Sequence, residues 1–122
     1  MNEMSSICSD YGINPWKLIR LTNKHPRVNI LEPGPGVGGH CIAVDPWFII
    51  NNEKKSPPLI YTSRLVNENQ HKKVVKRIAS EFRKIRNNKS NVSIALCGLS
   101  YKPNIDDMRE SPSIRILEKI KK

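Results

Sequence analysis

Cys41 stands just beyond Leu31-Glu-Pro-Gly-Pro-Gly-Val-Gly-Gly39, a run with four Gly and two Pro in nine positions. Such a run forms neither a helix nor a central strand. Its unencumbered backbone amides are suited to hold a polar or anionic ligand beside the thiol. The same donors would stabilise a thiolate, or an oxyanion formed on a carbon that the thiol attacks. Asp45 follows four residues later, so a helical turn would put its carboxylate on the same face as Cys41. A thiol with a carboxylate close by suits covalent chemistry on a carbonyl followed by attack of water. The alternative is a buried structural cysteine beside a helix cap, and spacing alone leaves both readings open.

Three other constellations are weaker. Gly34, Gly36 and Gly39 match the spacing GxGxxG, yet no β-run leads into them and Pro35 sits inside the turn. No clean helix follows and no acidic residue closes a downstream strand at the required distance, so a dinucleotide-binding turn is not expected there. Lys102 and Arg109 bracket a loop behind an apolar run, where open α/β sheets place ligands and where the two cations could hold phosphate. His25 and Arg27 flank a proline in an exposed turn and, taken alone, read as solvated side chains. Cys8 and Cys97 lie in helical or apolar stretches and read as structural.

The elements that must position these residues are mostly helical. Residues 2–9 read as a short helix. Asn14-Pro15 opens a second, with Asn as cap and Pro in the first turn. Trp16, Leu18, Ile19 and Leu21 face a core, and His25-Pro26 ends the element. A helical turn is expected near Cys41, and another helix begins at Asp45, which is placed to cap it ahead of Pro46. Leu59 to about Arg86 is the longest element, with Val75, Ile78, Phe82 and Ile85 spaced along one helical face. Residues 87–91 read as a polar linker. Val92–Gly98 reads as a buried strand. Residues 102–109 form a loop, and Ser111-Pro112 caps a last helix with an apolar stripe of Ile114, Leu117 and Ile120. A strand, loop and helix make half of a βαβ unit, whose second strand does not follow within the 122 residues. The chain is therefore expected to be a fragment.

Composition narrows the function classes. The 122 residues carry 21 Lys plus Arg against 11 Asp plus Glu, a formal net charge of +10. Residues 1–50 balance four basic against four acidic side chains, 51–90 hold eleven against three, and 91–122 hold six against four. The excess thus belongs to one stretch, and the helical pattern turns it into the solvated side of an amphipathic helix. No aromatic residues interleave with the basic ones, as a nucleic-acid binder would require. No apolar stretch approaches the ~20 residues of a membrane span, and no secretory leader is visible. Three cysteines without a CxxC pair argue against a disulfide scaffold or a metal site and fit a reducing cytoplasm.

PGPGVGGHCIAVDPWFI (33–49) and GLSYKPNIDDMRESPS (98–113) together resemble the UDP-glucose/GDP-mannose dehydrogenase family. HPRVNIL (25–31) and NEMSSIC (2–8) look most like its branch acting on UDP-N-acetyl-D-mannosamine. Glucose and GDP-mannose members usually have Ser before the Cys and a Lys-Asp pair after it; here His40 precedes it and Val44-Asp45-Pro46 follows. The resemblance implies a mainly α chain. Residues 1–88 would be a central helical dimerisation domain carrying the catalytic Cys loop and a long connecting helix. Residues 91–122 would be the first, incomplete Rossmann-like βα unit of a UDP-binding domain. The family's NAD-binding domain, and the segment bearing its catalytic Lys and Asn, would precede residue 1.

The resemblance further implies a four-electron, NAD-dependent oxidation of the sugar C6 alcohol to the acid. Cys41 matches the nucleophile that forms a thiohemiacetal and then a thioester, and Asp45 the carboxylate associated with the water step. Gly38 matches a backbone contact to the sugar, and His25 and Arg27 look like substrate contacts reaching a neighbouring subunit's site. Tyr101 and Lys102 match the nucleotide-sugar contact loop, and Arg109 the arginine that reaches NAD. A homodimer or higher oligomer through the long helix, a cytoplasmic location and an inactive isolated chain are the remaining expectations. Rival readings are another UDP-sugar as substrate, or a helical dimerisation module without catalysis.

Overall fold

The computed structural model describes residues 1–55, 57–86 and 92–121. These form two compact units, residues 1–34 and 35–122. Both are helical, and no strand occurs among the described residues.

The first unit pairs α1 (Asn2–Asp10) with α2 (Pro15–Thr22). α1 stops because Gly12 adopts φ +66, a left-handed backbone that costs glycine nothing. The amides of Gly12 and Ile13 then turn back onto the carbonyls of Ser9 and Cys8, at 3.2 and 2.7 Å, which closes the helix end as a Schellman motif. α2 opens as its sequence foretells: Asn14 Oδ1 accepts the amides of Trp16 and Lys17 at 2.9 and 3.3 Å, with Pro15 in the first turn. Its core contribution is narrower than the pattern predicts. Ile19 is buried, whereas Trp16 and Leu21 are 44% and 54% exposed. Two short helices bury one stripe against each other and leave the outer apolar side chains uncovered.

The second unit is built on α4 (Pro58–Arg86), 29 residues and so about 43 Å long. α3 (Asp45–Asn52) and α5 (Pro112–Ile120) pack against it. Trp47 of α3 meets Tyr61 of α4 edge to face with ring centroids 6.3 Å apart, and the Arg64 guanidinium lies 5.8 Å from the Trp47 ring centre. α5 starts on Ser111, whose hydroxyl accepts the Ser113 amide and donates to the Leu99 carbonyl at 2.5 Å. Ala43, Ile50, Pro112 and Ile116 are buried here, together with Arg64 and His71. The basic residues of the second half of α4 are exposed, as a solvated face requires.

Two expectations need correction. Residues 92–98 form no strand, and Ile94 and Cys97 are exposed. A strand exists only as the partner of another, and no neighbour is there to complete the ladder. Of the expected βα unit only its helix, α5, is formed. Asp45 is not the cap of α3: that position is Val44, without a side-chain bond. The helix starts earlier than a capping carboxylate would allow, because the Cys41 carbonyl already accepts the amides of both Val44 and Asp45, at 2.9 and 2.8 Å. Asp45 therefore lies inside the first turn, where its charge faces the positive end of the helix dipole. The polar linker over residues 87–91 lies outside the described residues.

Without strands, loop backbone must find other partners, and asparagines supply them. Asn23 donates to the Ile30 carbonyl at 3.1 Å and accepts its amide at 2.7 Å. Asn67 does the same to Val37, at 3.1 and 2.7 Å. Each side-chain amide offers one residue the two bonds that a neighbouring strand would have offered.

Candidate active site at the glycine loop

The glycine loop ends against the segment 99–112. Asn67 holds Val37 from the α4 side, and the Gly39 amide donates to the Arg109 carbonyl at 3.1 Å. Gly38 and Gly39 are buried. A Cβ on Gly38 would come within 2.5 Å of the Glu110 carbonyl oxygen and 2.9 Å of the Tyr101 Cβ. At Gly39, where φ is +89, it would meet the Tyr101 ring at 2.8 Å. Close approach therefore requires glycine at both positions, whereas a Cβ on Gly34 would meet nothing within 4 Å.

Beyond this clamp the chain turns outward. His40 and Cys41 are exposed, and a helical turn links Cys41 to Asp45. The buried-cysteine alternative is thus set aside for Cys41, while Cys8 is buried. Cys97, expected to be structural, is exposed on the unpaired segment.

Opposite Cys41 lies a charged cluster. Asp107 accepts from the Arg109 side chain, Nη2 to Oδ2 at 2.7 Å and Nε to Oδ1 at 3.0 Å, and from the Arg109 amide at 2.9 Å. His40 Nδ1 stands 3.9 Å from Asp107 Oδ2. The Arg109 side chain and amide, with smaller help from its charge and that of His40, hold the Asp107 carboxyl down at about 2. Arg109 is raised in turn, chiefly by Asp107, with the Tyr101 and Cys41 charges adding to it. Most of the Arg109 side chain stays open to solvent.

Tyr101 is half-buried under the glycine loop, and its amide bonds the Asp107 carbonyl at 3.3 Å. Lys102 is exposed; its carbonyl accepts the Ser100 hydroxyl at 3.0 Å. Gly38, Cys41, Asp45, Tyr101, Lys102 and Arg109 all belong to the second unit, where Gly38 packs against Tyr101 and the Gly39 amide bonds the Arg109 carbonyl. His25 and Arg27 belong to the first unit, both exposed, with the His25 ring nitrogen accepting the Arg27 amide at 3.2 Å.

Sequence reasoning missed the residues that hold this arrangement. Asn67 and Glu68 are polar positions on a helix, with no spacing signal to mark them. Glu68 Oε1 accepts Arg64 at 2.9 Å and Oε2 accepts Arg115 of α5 at 2.5 Å, while Arg115 also donates to Glu110. Arg115 is raised: burial works against its charge, but Glu68 and Glu110 outweigh it. His71, one turn further along α4, is lowered by burial first and then by Arg115, Lys119 and Lys72. Among the described residues, no group of three or more His, Cys, Asp or Glu side chains is placed to hold a metal ion. Nor, among the described residues, is any helix long and apolar enough to cross a membrane.

The family models divide at this arrangement. Residues 1–69 match the central domain of the UDP-glucose/GDP-mannose dehydrogenase family, and residues 95–122 match that family's UDP binding domain. The chain belongs to this family. Cys41 and the glycine loop fall in the first match, and Tyr101, Lys102 and Arg109 in the second. The candidate site is therefore where two family domains touch.

Relatives agree with the assignment. UDP-N-acetyl-D-mannosamine dehydrogenases of Yersinia pestis and Escherichia coli K12 are each 53% identical, over 94% and 98% of this chain. An NDP-N-acetyl-D-galactosaminuronic acid dehydrogenase of Ralstonia nicotianae is 52% identical over 96% of it. A solved UDP-D-ManNAc dehydrogenase from Pyrococcus horikoshii superposes with a TM-score of 0.88 at 38% identity, over 98% of this chain and 29% of that one. The chain spans 28%, 29% and 27% of the three curated relatives, less than a third of each.

Proposed function

We propose that the chain is the nucleophile-bearing segment of an NAD-dependent UDP-N-acetyl-D-mannosamine 6-dehydrogenase. Residues 1–88 would belong to the central dimerisation domain, and 91–122 would begin the UDP-binding domain. The observation that carries the reading is the exposed Cys41, set at the end of a clamped glycine loop and next to His40, whose ring stands 3.9 Å from the Asp107 that Arg109 pairs with.

In this reading Cys41 Sγ adds to the C6 aldehyde of the sugar, forming a C–S bond, and the carbonyl oxygen takes up a proton to give a thiohemiacetal. Once that carbon has been oxidised to a thioester, Asp45 accepts a proton from water as the water attacks. The C–S bond then breaks, the thiolate leaves, and the carboxylic acid is released. Backbone donors of the glycine loop, Gly38 among them, stabilise oxygen as it gains charge. Tyr101 and Lys102 hold the nucleotide-sugar, with His25 and Arg27 as further substrate contacts reaching a neighbouring subunit's site.

In this reading the residues of this chain do not make a dinucleotide site by themselves; Tyr101 and Pro112 pack against Gly36, Gly38 and Gly39. No hydride transfer is assigned to them. NAD, held by the rest of a longer enzyme and touched from here by Arg109, would supply the oxidising power for both oxidations. The longer enzyme would act in the cytoplasm as a homodimer or higher oligomer through α4. The 122-residue chain alone would form no NADH.

The test is a graft. Residues 1–122 replace the matching segment of the Escherichia coli relative, and NADH is followed with NAD and UDP-N-acetylmannosamine. The expected result is turnover that Cys41→Ser abolishes; turnover surviving Cys41→Ser overturns the reading. The Ralstonia relative, named for an NDP-N-acetyl-D-galactosaminuronic acid, favours a second reading, another nucleotide-sugar with the same chemistry. Higher kcat/KM on UDP-N-acetylglucosamine or UDP-glucose than on UDP-N-acetylmannosamine would select it.

A further inference from the structure

Two consecutive residues of α4 reach both sides of the candidate site. Asn67 grips the glycine loop through both backbone groups of Val37, four residues before Cys41. Glu68 grips the opposite loop indirectly: its carboxylate holds Arg115, and Arg115 holds the Glu110 carboxylate. Glu110 has φ +51, a left-handed backbone that a side chain with a Cβ adopts only at a cost. Its carbonyl oxygen and that of Arg109 are the surfaces on which Gly38 and Gly39 rest. Arg109, next to Glu110, pairs with Asp107, and Asp107 lies 3.9 Å from the ring of His40, the residue before Cys41. The α4 backbone therefore supports both the loop that carries Cys41 and the Arg109–Glu110 segment on which that loop rests, through one direct link and one relayed link.

We propose that Asn67 and Glu68 are positioning residues for Cys41: Asn67 fixes the loop that carries it, and Glu68, through Arg115, fixes the strained Glu110 backbone that the loop rests on. The proposal rests on the reading of Cys41 as the nucleophile. Helix-borne supports hold a reacting group more rigidly than loop contacts do, and a small displacement of such a group is costly in rate.

Amide exchange in the 122-residue chain tests the mechanical part. Glu68→Gln keeps the side-chain shape and removes the charge that Arg115 requires. It is expected to speed exchange of the Gly39 amide at least about tenfold, while the Ile13 and Leu18 amides of the first unit change less than about twofold. Arg115→Met should reproduce the effect, and Arg115→Lys should retain most of the protection. Asn67→Ala should release the Val37 amide by a similar factor. Gly39 exchange within about twofold of the parent in both Glu68→Gln and Arg115→Met overturns the proposal; having two variants covers the case in which one fails to fold.

In the grafted enzyme, Glu68→Gln should lower kcat about tenfold or more per titrated active site and change KM for the UDP-sugar less than about threefold. A purely structural role would lower the number of active sites and leave kcat per site intact, which also overturns the proposal. If the parent graft survives Cys41→Ser, the nucleophile reading fails, while the exchange data still decide whether α4 positions the loop.

Discussion

The two halves of α4 hold their surroundings in different ways. The first half, from Pro58 to His71, buries Arg64 and His71 and reaches α5 and the glycine loop through Glu68 and Asn67. The second half carries Val75, Ile78, Phe82 and Ile85 in register, yet Ile85 is exposed and the others are half-buried. Ile78, Phe82 and Ile85, with Val92 and Ile94, border an open groove of about 470 Å³. The half with the clean apolar period is thus the loosely packed one, and the half without it makes the specific contacts. An apolar stripe shows only that a face wants cover, whereas paired polar groups have distances and directions that settle which neighbour provides it.

The strongest way to break this comparison is at the glycine loop that the first half supports. Gly38→Ala would drive a Cβ into the Glu110 carbonyl and the Pro112 ring, at 2.5 and 2.8 Å, and should cost about 3 kcal/mol in chemical denaturation. Gly34→Ala, with nothing within 4 Å, should change the same measurement by less than about 0.5 kcal/mol. Equal costs at the two glycines would deny that the loop is clamped. Next in size, Asn67→Ala leaves both backbone groups of Val37 without their partner and should cost about 1–2 kcal/mol. Ile85→Ala, in the second half, should cost less than about 1 kcal/mol, because its side chain is already half in water.

How far the sequence was legible follows the same division. The capped helix starts at Asn14 and Ser111, and the long helix over 59–86, were readable because caps and period are local signals. The helical turn linking Cys41 to Asp45 was readable because its signals lie together in the chain. Glu68 was not, since its partner Arg115 stands 47 positions away on a helix whose own pattern is apolar. Asn67 was equally silent, because an asparagine on a helix gives no hint that it will stand in for a missing strand. The strand reading at 92–98 failed for the opposite reason. Its apolar content is a local signal, but pairing is a property of two segments.

Smaller effects come from pH. His71 is lowered in the folded chain, by burial first, so the unfolded chain binds its proton more readily. Stability should be full above the ordinary 6.5 and fall as pH drops below it toward the folded value. His71→Gln should flatten that part of the stability profile. Asp107 is held at about 2 against an ordinary 3.8, so its contribution is complete above 3.8 and lost as pH falls through about 2. Carboxyl titration followed by NMR should find Asp107 near that value, moving up toward 3.8 in Arg109→Gln. An unmoved titration would remove Arg109 as the cause.

The sulfur of Cys41 is the atom proposed to become bonded to the sugar. Asp45→Asn in the grafted enzyme should slow hydrolysis and let the acyl-enzyme accumulate. After mixing with NAD and UDP-N-acetylmannosamine, acid quench and peptide mass spectrometry should place a UDP-sugar uronyl thioester on the peptide carrying Cys41. An adduct on Cys8 or Cys97, or full turnover with Cys41 unmodified throughout, would contradict it.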